Sequence, residues 1–356
     1  MESYGNVEPW VAVGTLVKDV TESLEAAGLV WTSDDGPGIT RKRKEDGFEY
    51  FDKKGQRITD EKTLARIRSL AIPPAYEHVW ICPRANGHLQ ATGKDARGRK
   101  QYRYHPDFRS SREEAKFGRM LQFAKALPKI HEAVDRDLAR PGMPREKALA
   151  AVVALLENSH IRIGNEEYAQ TNKSYGLTTL RNRHAAVEGA QVRFKFLGKS
   201  KVRHEVALHD RRLARIVRKL QELPGQRLFQ YLDDAGETHA VTSDDVNGYL
   251  KAVTKKDFTA KDFRTWAGTV LALEQLAGID PVPETKREMT RVLTDCMKCV
   301  STQLGNTPSV CRKSYVHPAV VHSFTQGELR QHLARVKDPE KAVAKLLRKV
   351  AAEAGK

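Results

Sequence analysis

The sequence has no hydrophobic run that approaches the roughly 20 residues needed for a membrane-spanning helix. Its first segment, Met1–Trp10, contains acidic residues and lacks the apolar core of a secretory signal peptide. These two absences argue against a membrane protein and against an exported one. We therefore expect a protein that works in the cytoplasm.

Cysteine is also scarce, with four residues in a chain of 356. Cys296 and Cys299 form a C-x-x-C pair, but no second pair or suitable histidine cluster follows at the spacing of a zinc site. The pair falls in Glu288–Gln303, where apolar residues recur near one helical face. We interpret these cysteines as packing residues in a reducing cytosol rather than as metal ligands.

The signatures of several enzyme classes are missing as well. There is no G-x-S-x-G elbow, no H-E-x-x-H motif and no dinucleotide glycine fingerprint. Three acidic pairs lie near turn-forming or capping residues: Asp34-Asp35, Asp233-Asp234 and Asp244-Asp245. They are typical of loop carboxylates, so a metal-dependent nuclease has no support. We expect no cofactor, no nucleotide and no metal.

What the sequence has in excess is positive charge. It contains 61 Lys and Arg against 45 Asp and Glu, which gives a formal net charge of +16. Such an excess favours a polyanionic partner, either nucleic acid or an anionic membrane. Because no segment is apolar enough to span a membrane, the expected partner is nucleic acid.

The chain length and a shift in composition near residue 110 predict two domains and an α+β fold. Residues 1–110 contain short β-type segments between Gly and Pro turns, which predicts a small β-rich N-terminal domain. Residues 111–356 predict a larger, mainly helical domain. Its expected helices are Glu146–Ser159, Asp210–Leu223, Trp266–Leu276, Glu288–Gln303 and Gln326–Ala352.

One β-hairpin interrupts the predicted helices. Apolar and cationic residues alternate over 192–196, residues 197–201 turn the chain, and Val202–Val206 returns it. The turn contains Gly198-Lys199-Ser200, which looks like the end of a phosphate-binding loop, but Arg193 stands where that loop needs glycine and no helix follows. A lysine at a hairpin tip can instead reach into a groove and donate a proton, although such lysines are usually just solvated.

A second cationic region, Lys94–Arg112, carries seven cations with aromatic residues between them. Arg99 and Lys100 can contact phosphates, and Tyr102 and Tyr104 can pack on sugar or base edges. The alternative is a solvated edge strand. The charge of the whole chain favours DNA contact.

Three further residues suit phosphoryl transfer. Arg162, which follows the apolar helix ending near Ser159, and Arg264, at the start of another predicted helix, can grip phosphate oxygens with their fork of donors. The segment Leu304–Pro318 places Tyr315 behind a turn and among cations, which favour a phenolate and attract a phosphate for it to attack. Each of these residues alone is more often structural.

Together these segments resemble the type IB DNA topoisomerases, in the small poxvirus-like form also found in bacteria. The resemblance runs from about Ile72 to Pro318. Four motifs occur in the order of that family: His160–Asn165, Phe196–Glu205, Lys261–Trp266 and Gly305–Tyr315.

The resemblance implies a role for each matching residue. Tyr315 would be the nucleophile that attacks the scissile phosphodiester. Arg162 and Arg264 would stabilise the pentacoordinate transition state. Lys199 would be the general acid that protonates the departing 5′-oxygen, and Lys261 would support the same phosphate.

The same resemblance assigns DNA contacts to Tyr102, Tyr104 and Tyr168, and it exposes one departure. Asn306, nine residues before Tyr315, stands where poxviral and eukaryotic members have a histidine that donates to a nonbridging phosphate oxygen. An amide can donate too, but it is shorter and never charged. We therefore expect the role to persist with weaker transition-state stabilisation.

The implied activity is relaxation of supercoiled duplex DNA without ATP or metal. One strand is cleaved through a 3′-phosphotyrosyl intermediate, the free end rotates, and the strand is rejoined. The implied architecture is a monomeric clamp around DNA, with a catalytic domain like that of the tyrosine recombinases, in a protein associated with the nucleoid.

Two alternatives remain. A tyrosine recombinase or integrase shares the chemistry, but its usual H-x-x-R is K-x-x-R here (Lys261, Arg264), and the β-rich N-terminal domain fits a topoisomerase better. A non-enzymatic DNA-binding protein would explain the charge but not the four motifs.

Overall fold

A computed structural model describes residue 24, residues 27–330, residue 336 and residues 338–354 of the chain. It divides the chain into two units, Met1–Phe117 and Gly118–Lys356. The predicted boundary at residue 110 falls inside the helix Pro106–Gly118, and the division comes near the end of that helix. Met1–Trp10, which we tested for a signal peptide, lies outside the described residues.

The N-terminal unit is built on one antiparallel sheet with the strand order β2-β1-β3-β4-β5. Its strands and helices are β1 (Ile39–Lys44), β2 (Gly47–Phe51), α1 (Glu61–Ser69), β3 (Glu77–Ile81), β4 (Leu89–Lys94), β5 (Lys100–Tyr104) and α2 (Pro106–Gly118). The predicted β-rich N-terminal region is confirmed.

A small apolar core holds this sheet together. Ile39, Val79, Ile81 and Ala91 are buried in it, and α1 adds Ile67. The helix begins where the side chain of its N-cap, Asp60, accepts a hydrogen bond from the backbone of the first turn. The cap therefore fixes the register that turns the apolar side of α1 toward the sheet.

The C-terminal unit is mainly helical, as predicted. Its helices are α3 (Met120–Leu138), α4 (Arg145–Ser159), α5 (Glu166–Asn172), α6 (Arg211–Gln221), α7 (Ser243–Thr254), α8 (Ala260–Ala277), α9 (Lys286–Leu304), α10 (Pro308–Ser314), α11 (Pro318–Thr325) and α12 (Pro339–Ala354). Its strands are β6 (Ala185–Glu188), β7 (Gln191–Leu197), β8 (Arg203–His209), β9 (Gln230–Leu232) and β10 (Thr238–Ala240). The predicted hairpin is β7–β8, in a three-stranded sheet with β6.

Helix α4 is the centre of this unit. Eleven of its fifteen residues are buried, so it is covered on nearly every side by α3, α7 and α8. A helix that is apolar all round belongs inside a core rather than on a surface. Its burial fixes the position of its C-terminal end, where His160 takes the left-handed conformation (φ 54°) and the chain turns toward Arg162.

One predicted helix, Gln326–Ala352, is wrong in extent. Helix α11 ends at Thr325, Gly327 takes a left-handed backbone (φ 72°), and α12 begins only at Pro339. Proline lacks the amide hydrogen that a helix interior needs but fits the first turn. The apolar periodicity of the predicted segment does not reveal the turn at Gln326–Gly327 or the non-helical residues 336 and 338.

The C-x-x-C pair lies on α9, as predicted, and the four cysteines are free, with Cys296 buried in the core. Among the described residues no group of His, Cys, Asp and Glu has the arrangement of a metal site. No helix in the described ranges is both long and apolar enough to cross a membrane.

Replacement of Leu155 with alanine tests the central place of α4. Leu155 is fully buried, so we expect the free energy of unfolding to fall by about 2–5 kcal/mol. The matched control is Asn158→Ala on the same helix, since Asn158 is exposed and should change stability by less than about 0.5 kcal/mol. Urea unfolding of both variants measures the difference, and equal stabilities would contradict the assignment.

Candidate active site

Two arginines distant in sequence come together in the C-terminal unit. Arg264 lies near the start of α8 and is only 5% exposed. Its guanidinium donates through Nη1 to the carbonyl of His160, at the end of α4, and through Nη2 to the carbonyl of Leu304 (2.6 Å), at the end of α9. The buried guanidinium therefore joins the C-terminal ends of two helices.

Arg162 binds Gly305 and Asn306, the two residues that follow Leu304 in the chain. Its Nη1 and Nη2 atoms each lie 3.3 Å from the carbonyl oxygen of Gly305, and Nη2 also donates to the side-chain oxygen of Asn306. Burial, followed by the positive charge of Arg264, lowers the pKa of Arg162. Arginine stays protonated at neutral pH, so two like charges are held side by side.

Neither arginine forms an ion pair with a carboxylate in the described part of the chain. The acceptors are carbonyl oxygens and one amide oxygen, which fix the two guanidinium groups without cancelling their charge. The buried Nε of Arg264 has no hydrogen-bond partner among the described residues. A buried charge without a counterion is costly, so this pair is suited to bind an anion.

Neighbouring groups respond to the two positive charges. Burial lowers the pKa of His160 and of His204, and Arg264 lowers both further. Burial raises the pKa of the Cys311 thiol, while the Asn306 amide and the arginines act in the opposite direction. The local potential therefore favours neutral histidines and bound anions.

Tyr315 lies against this pair at the end of α10. The short helix begins with Thr307 as N-cap and Pro308 in its first turn, and Tyr315 is its C-cap. The guanidinium carbon of Arg264 lies 5.2 Å from the centre of the Tyr315 ring, and Arg162 interacts with the same side chain. The phenol thus faces both cations.

Helix α8 also holds the backbone of Tyr315. The single hydroxyl proton of Thr269 is shared between the carbonyls of Tyr315 (3.1 Å) and Thr265 (3.0 Å), and the hydroxyl oxygen accepts from the amide of His317 (3.0 Å). A Cβ on Gly268 would lie 2.9 Å from the Tyr315 carbonyl oxygen and from its Cβ. Only glycine therefore lets the tyrosine approach this helix so closely.

Asn306 stands between the arginines and α10. Its Oδ1 accepts from Arg162, so its Nδ2 points the other way. That Nδ2 is buried and has no hydrogen-bond partner among the described residues. The amide nevertheless lies near enough to Cys311 to offset part of the rise that burial causes in the pKa of its thiol. An unsatisfied amide donor beside two cations adds to the affinity for an anion.

The two predicted lysines, Lys199 and Lys261, are both exposed. Lys199 is exposed at the tip of the β7–β8 hairpin, and its ammonium makes no hydrogen bond or ion pair within the described residues. Lys261 is exposed in the first turn of α8, one turn before Arg264. The start of this helix is fixed because the Asp262 carboxylate accepts from the backbone amide of Thr259 (2.7 Å).

Tyr168, from the same unit, follows closely after Arg162 in the chain. It lies on α5, which begins at Asn165, whose side chain accepts from the Tyr168 amide at 3.0 Å. Its side chain is among the exposed large apolar groups of the protein, at 48%. It is therefore accessible to a ligand, but no described contact joins it to the arginines.

The remaining predicted DNA contacts lie in the N-terminal unit, on or beside the edge strand β5. Tyr102 and Tyr104 stack with ring centres 6.1 Å apart. Lys100 pairs with Asp34 (2.9 Å), and Arg99 pairs with Asp95 (2.7 Å). The hydrogen bond from Arg99 lowers the pKa of Asp95 to about 2, so that pair persists at neutral pH.

Sequence patterns pointed to the charged members of the group but missed the residues that hold them. Gly268 and Thr269 follow the Lys261–Trp266 motif by one turn, which is the only sequence signal for their role. The carbonyls of His160, Leu304 and Gly305 have no side-chain signature at all.

Comparison with known families now adds to the geometry. Residues 105–342 match the family described as eukaryotic DNA topoisomerase I, catalytic core. Residues 47–95 match the family described as bacterial DNA topoisomerase IB, N-terminal domain. The first match contains Arg162, Lys199, Arg264, Asn306 and Tyr315.

Curated proteins give the same result over most of the chain. DNA topoisomerase 1B of Acanthamoeba polyphaga mimivirus is 32% identical over 285 residues, which are 78% of this chain and 85% of that protein. DNA topoisomerase 1B of Vaccinia virus (strain Copenhagen) is 25% identical over 256 residues, 69% of this chain and 75% of that protein.

Replacement of Thr269 with valine tests how Tyr315 is held. Thr269 is fully buried, and valine keeps its shape but leaves the Tyr315 carbonyl and the His317 amide without their partner. We expect the free energy of unfolding to fall by about 1–3 kcal/mol. Thr294→Val is the control, because that exposed hydroxyl bonds only within its own helix. Equal urea midpoints for the two variants would contradict the anchoring role.

Proposed function

This chain belongs to the type IB DNA topoisomerases, isomerases that act on DNA, and from that premise we propose how its residues carry out the reaction. The observation that carries the proposal is the pair of guanidinium groups beside the phenol of Tyr315, one on buried Arg264 and one on half-buried Arg162. A scissile phosphodiester is the anion that this pair would bind.

Tyr315 is the nucleophile. Its phenolic oxygen forms a bond to the phosphorus and loses its proton to solvent, while the bond from phosphorus to the 5′-oxygen breaks. The strand is left as a 3′-phosphotyrosyl link and a 5′-hydroxyl. Because Thr269 and Gly268 hold the backbone of Tyr315 against α8, the phenol is aligned before DNA arrives.

Arg162 and Arg264 stabilise the transition state. The attack places additional negative charge on the nonbridging oxygens, and the two guanidinium groups already face that position without a carboxylate among the described residues to compete for them. Fixed donors in a largely buried pocket need little reorganisation during the reaction. The buried Nδ2 of Asn306 supplies a further donor to a nonbridging oxygen.

Lys199 is the general acid. Its ammonium, exposed at the hairpin tip, gives a proton to the departing 5′-oxygen, so that a neutral hydroxyl leaves. Lys261 supports the same phosphate from the first turn of α8. On religation the 5′-hydroxyl attacks the phosphotyrosyl bond, and Lys199 takes the proton back.

The same chemistry explains why ATP is not required. The phosphotyrosyl bond conserves the energy of the broken phosphodiester, so religation needs no nucleotide, and arginine and lysine side chains do the charge neutralisation. We propose that Tyr102, Tyr104, Tyr168, Arg99 and Lys100 contact DNA. Their surroundings support Tyr102 and Tyr168, which are exposed, more than Arg99 and Lys100, which pair with carboxylates.

The wider setting remains our proposal. The match of residues 47–95 to a bacterial N-terminal domain supports a bacterial form of the enzyme. By resemblance, the enzyme is a monomer with a recombinase-like catalytic unit, and its two units close as a clamp around the duplex. Its action on the nucleoid, in the cytoplasm, stays a prediction.

Relaxation of a supercoiled plasmid tests the nucleophile and separates the rival functions. We expect the protein, in EDTA and without ATP, to produce a ladder of relaxed topoisomers. Tyr315→Phe should abolish the ladder while it preserves DNA binding, because phenylalanine keeps the ring beside Arg264 but cannot attack phosphorus.

Tyr175→Phe, which removes another phenol of the same unit, is the control and should remain active. Recombined plasmid products would favour a recombinase, and binding without relaxation would favour a non-enzymatic DNA-binding protein. Relaxation by Tyr315→Phe at the rate of the unchanged protein would refute the assignment.

Replacement of Asn306 with alanine tests the departure from the poxviral pattern. Loss of the amide removes both the donor to the phosphate and the acceptor that orients Arg162, so single-turnover cleavage should slow by roughly 100-fold. Asn306→His should cleave at least as fast as the unchanged protein, since imidazole also donates and can carry a positive charge. A cleavage rate for Asn306→Ala equal to that of the unchanged protein would remove Asn306 from the site.

A further inference from the structure

His204, on β8, lies between the two turns that carry Lys199 and Asn306. It stands directly opposite Phe196 in the hairpin, and the two rings stack with centres 5.0 Å apart and planes 8° from parallel. This stacking holds the imidazole at the tip end of the hairpin, close to the turn that contains Lys199.

The imidazole fills space beside two glycines. A Cβ on Gly198 would lie 2.6 Å from Cδ2 of His204, and a Cβ on Gly305 would lie 2.3 Å from its Cε1. Real Cβ atoms do not come this close to other heavy atoms, so the ring packs directly on the backbone of both residues. Gly198 precedes Lys199 and Gly305 precedes Asn306, so one ring separates and supports the two turns.

The contact continues to the arginine pair. The carbonyl of Gly305, whose backbone His204 supports, accepts from both terminal nitrogens of Arg162. Burial lowers the pKa of His204, and Arg162 and then Arg264 lower it further. The ring is therefore neutral at neutral pH, and its nitrogens make no hydrogen bond with any described residue, so it acts through shape and packing.

We propose that His204 is a positioning residue that fixes the Lys199 hairpin against the Gly305–Asn306 turn and so aligns the general acid with the arginine-bound phosphate. The inference rests on the roles proposed above for Lys199 and Tyr315. It extends them, because the side chain of Lys199 has no described bond of its own to define its position. The direct link between hairpin tip and phosphate site is the contact of His204 with Gly198 and Gly305.

Single-turnover cleavage of a duplex oligonucleotide by His204→Ala is the first test. An acid displaced by about 1 Å can cost roughly 100-fold in rate, so we expect a loss of that order at saturating protein, with DNA affinity unchanged. His209→Ala, an exposed histidine on the same strand, is the control and should cleave normally. A normal rate for His204→Ala would overturn the proposal.

A substrate with sulfur in place of the scissile 5′-oxygen tests whether the loss of rate in His204→Ala comes from misplacement of Lys199. A thiol has a pKa of about 8.5, so its thiolate departs without a proton from an acid. If His204 positions Lys199, most of the loss in His204→Ala disappears with this substrate, as it does in Lys199→Ala. A loss of equal size on both substrates would show that His204 does not act through Lys199.

Gly198→Ala disturbs the contact between Gly198 and His204 by changing the glycine, and it leaves His204 in place. Gly198 has an extended backbone (φ −92°) that alanine adopts freely, so the added methyl meets only the imidazole at less than 3 Å. We expect Gly198→Ala to slow cleavage, and the double variant with His204→Ala to be no slower than His204→Ala alone. Independent, multiplying losses would overturn the proposal.

The controls separate this inference from the function beneath it. If Tyr315→Phe or Lys199→Ala cleaves normally, the proposed roles of those residues fail whatever His204 does. If both are impaired while His204→Ala and Gly198→Ala cleave normally, only the inference fails. Thermal unfolding is measured for each variant, and Gly198→Ala decides the question if His204→Ala does not fold.

Discussion

The guanidinium groups of buried Arg264 and half-buried Arg162 are held by carbonyl and amide oxygens rather than by carboxylates, and the C-terminal unit depends on this constraint. A carboxylate would have stabilised Arg162 and Arg264 as a counterion, but it would also have neutralised the positive charge that binds a phosphate. The ends of α4 and α9 provide the substitute, because the last carbonyls of a helix lack partners and carry partial negative charge. They hold the arginines without neutralising them.

Much of the surrounding fold follows from bringing these helix ends together. Helix α4 is buried on nearly every side, so the residue that caps its C-terminal end, His160, has a fixed position. Helix α9 ends at Gly305 in the left-handed conformation, which turns the chain so that Asn306 faces Arg162 and α10 can start two residues later. The elements that carry no reacting group thus set the geometry of those that do.

The sequence pointed to Arg162, Arg264 and Tyr315, which the structure brings together, better than to the residues that hold them in place. The alternating pattern around Phe194 identified the hairpin, and four ordered motifs identified Tyr315 and its charged neighbours. The packing of His204 on Gly198 and Gly305 was not predictable, because it joins residues a hundred positions apart through shape alone. The extent of the predicted helix Gln326–Ala352 was wrong because its apolar pattern does not reveal the turn at Gln326–Gly327 or the non-helical residues 336 and 338 before Pro339.

The bonds from Thr269 to the chain on both sides of the Tyr315–Val316 linkage also have a mechanical meaning. In the mechanism proposed above, one DNA strand is covalently joined to Tyr315, and torque stored in the duplex would pull on that residue. Two hydrogen bonds and the close fit at Gly268 pass the load to α8, which is packed against α4 in the core. Under that proposal, the short helix α10 presents the nucleophile, while the longer and better-buried α8 resists the strain of strand rotation.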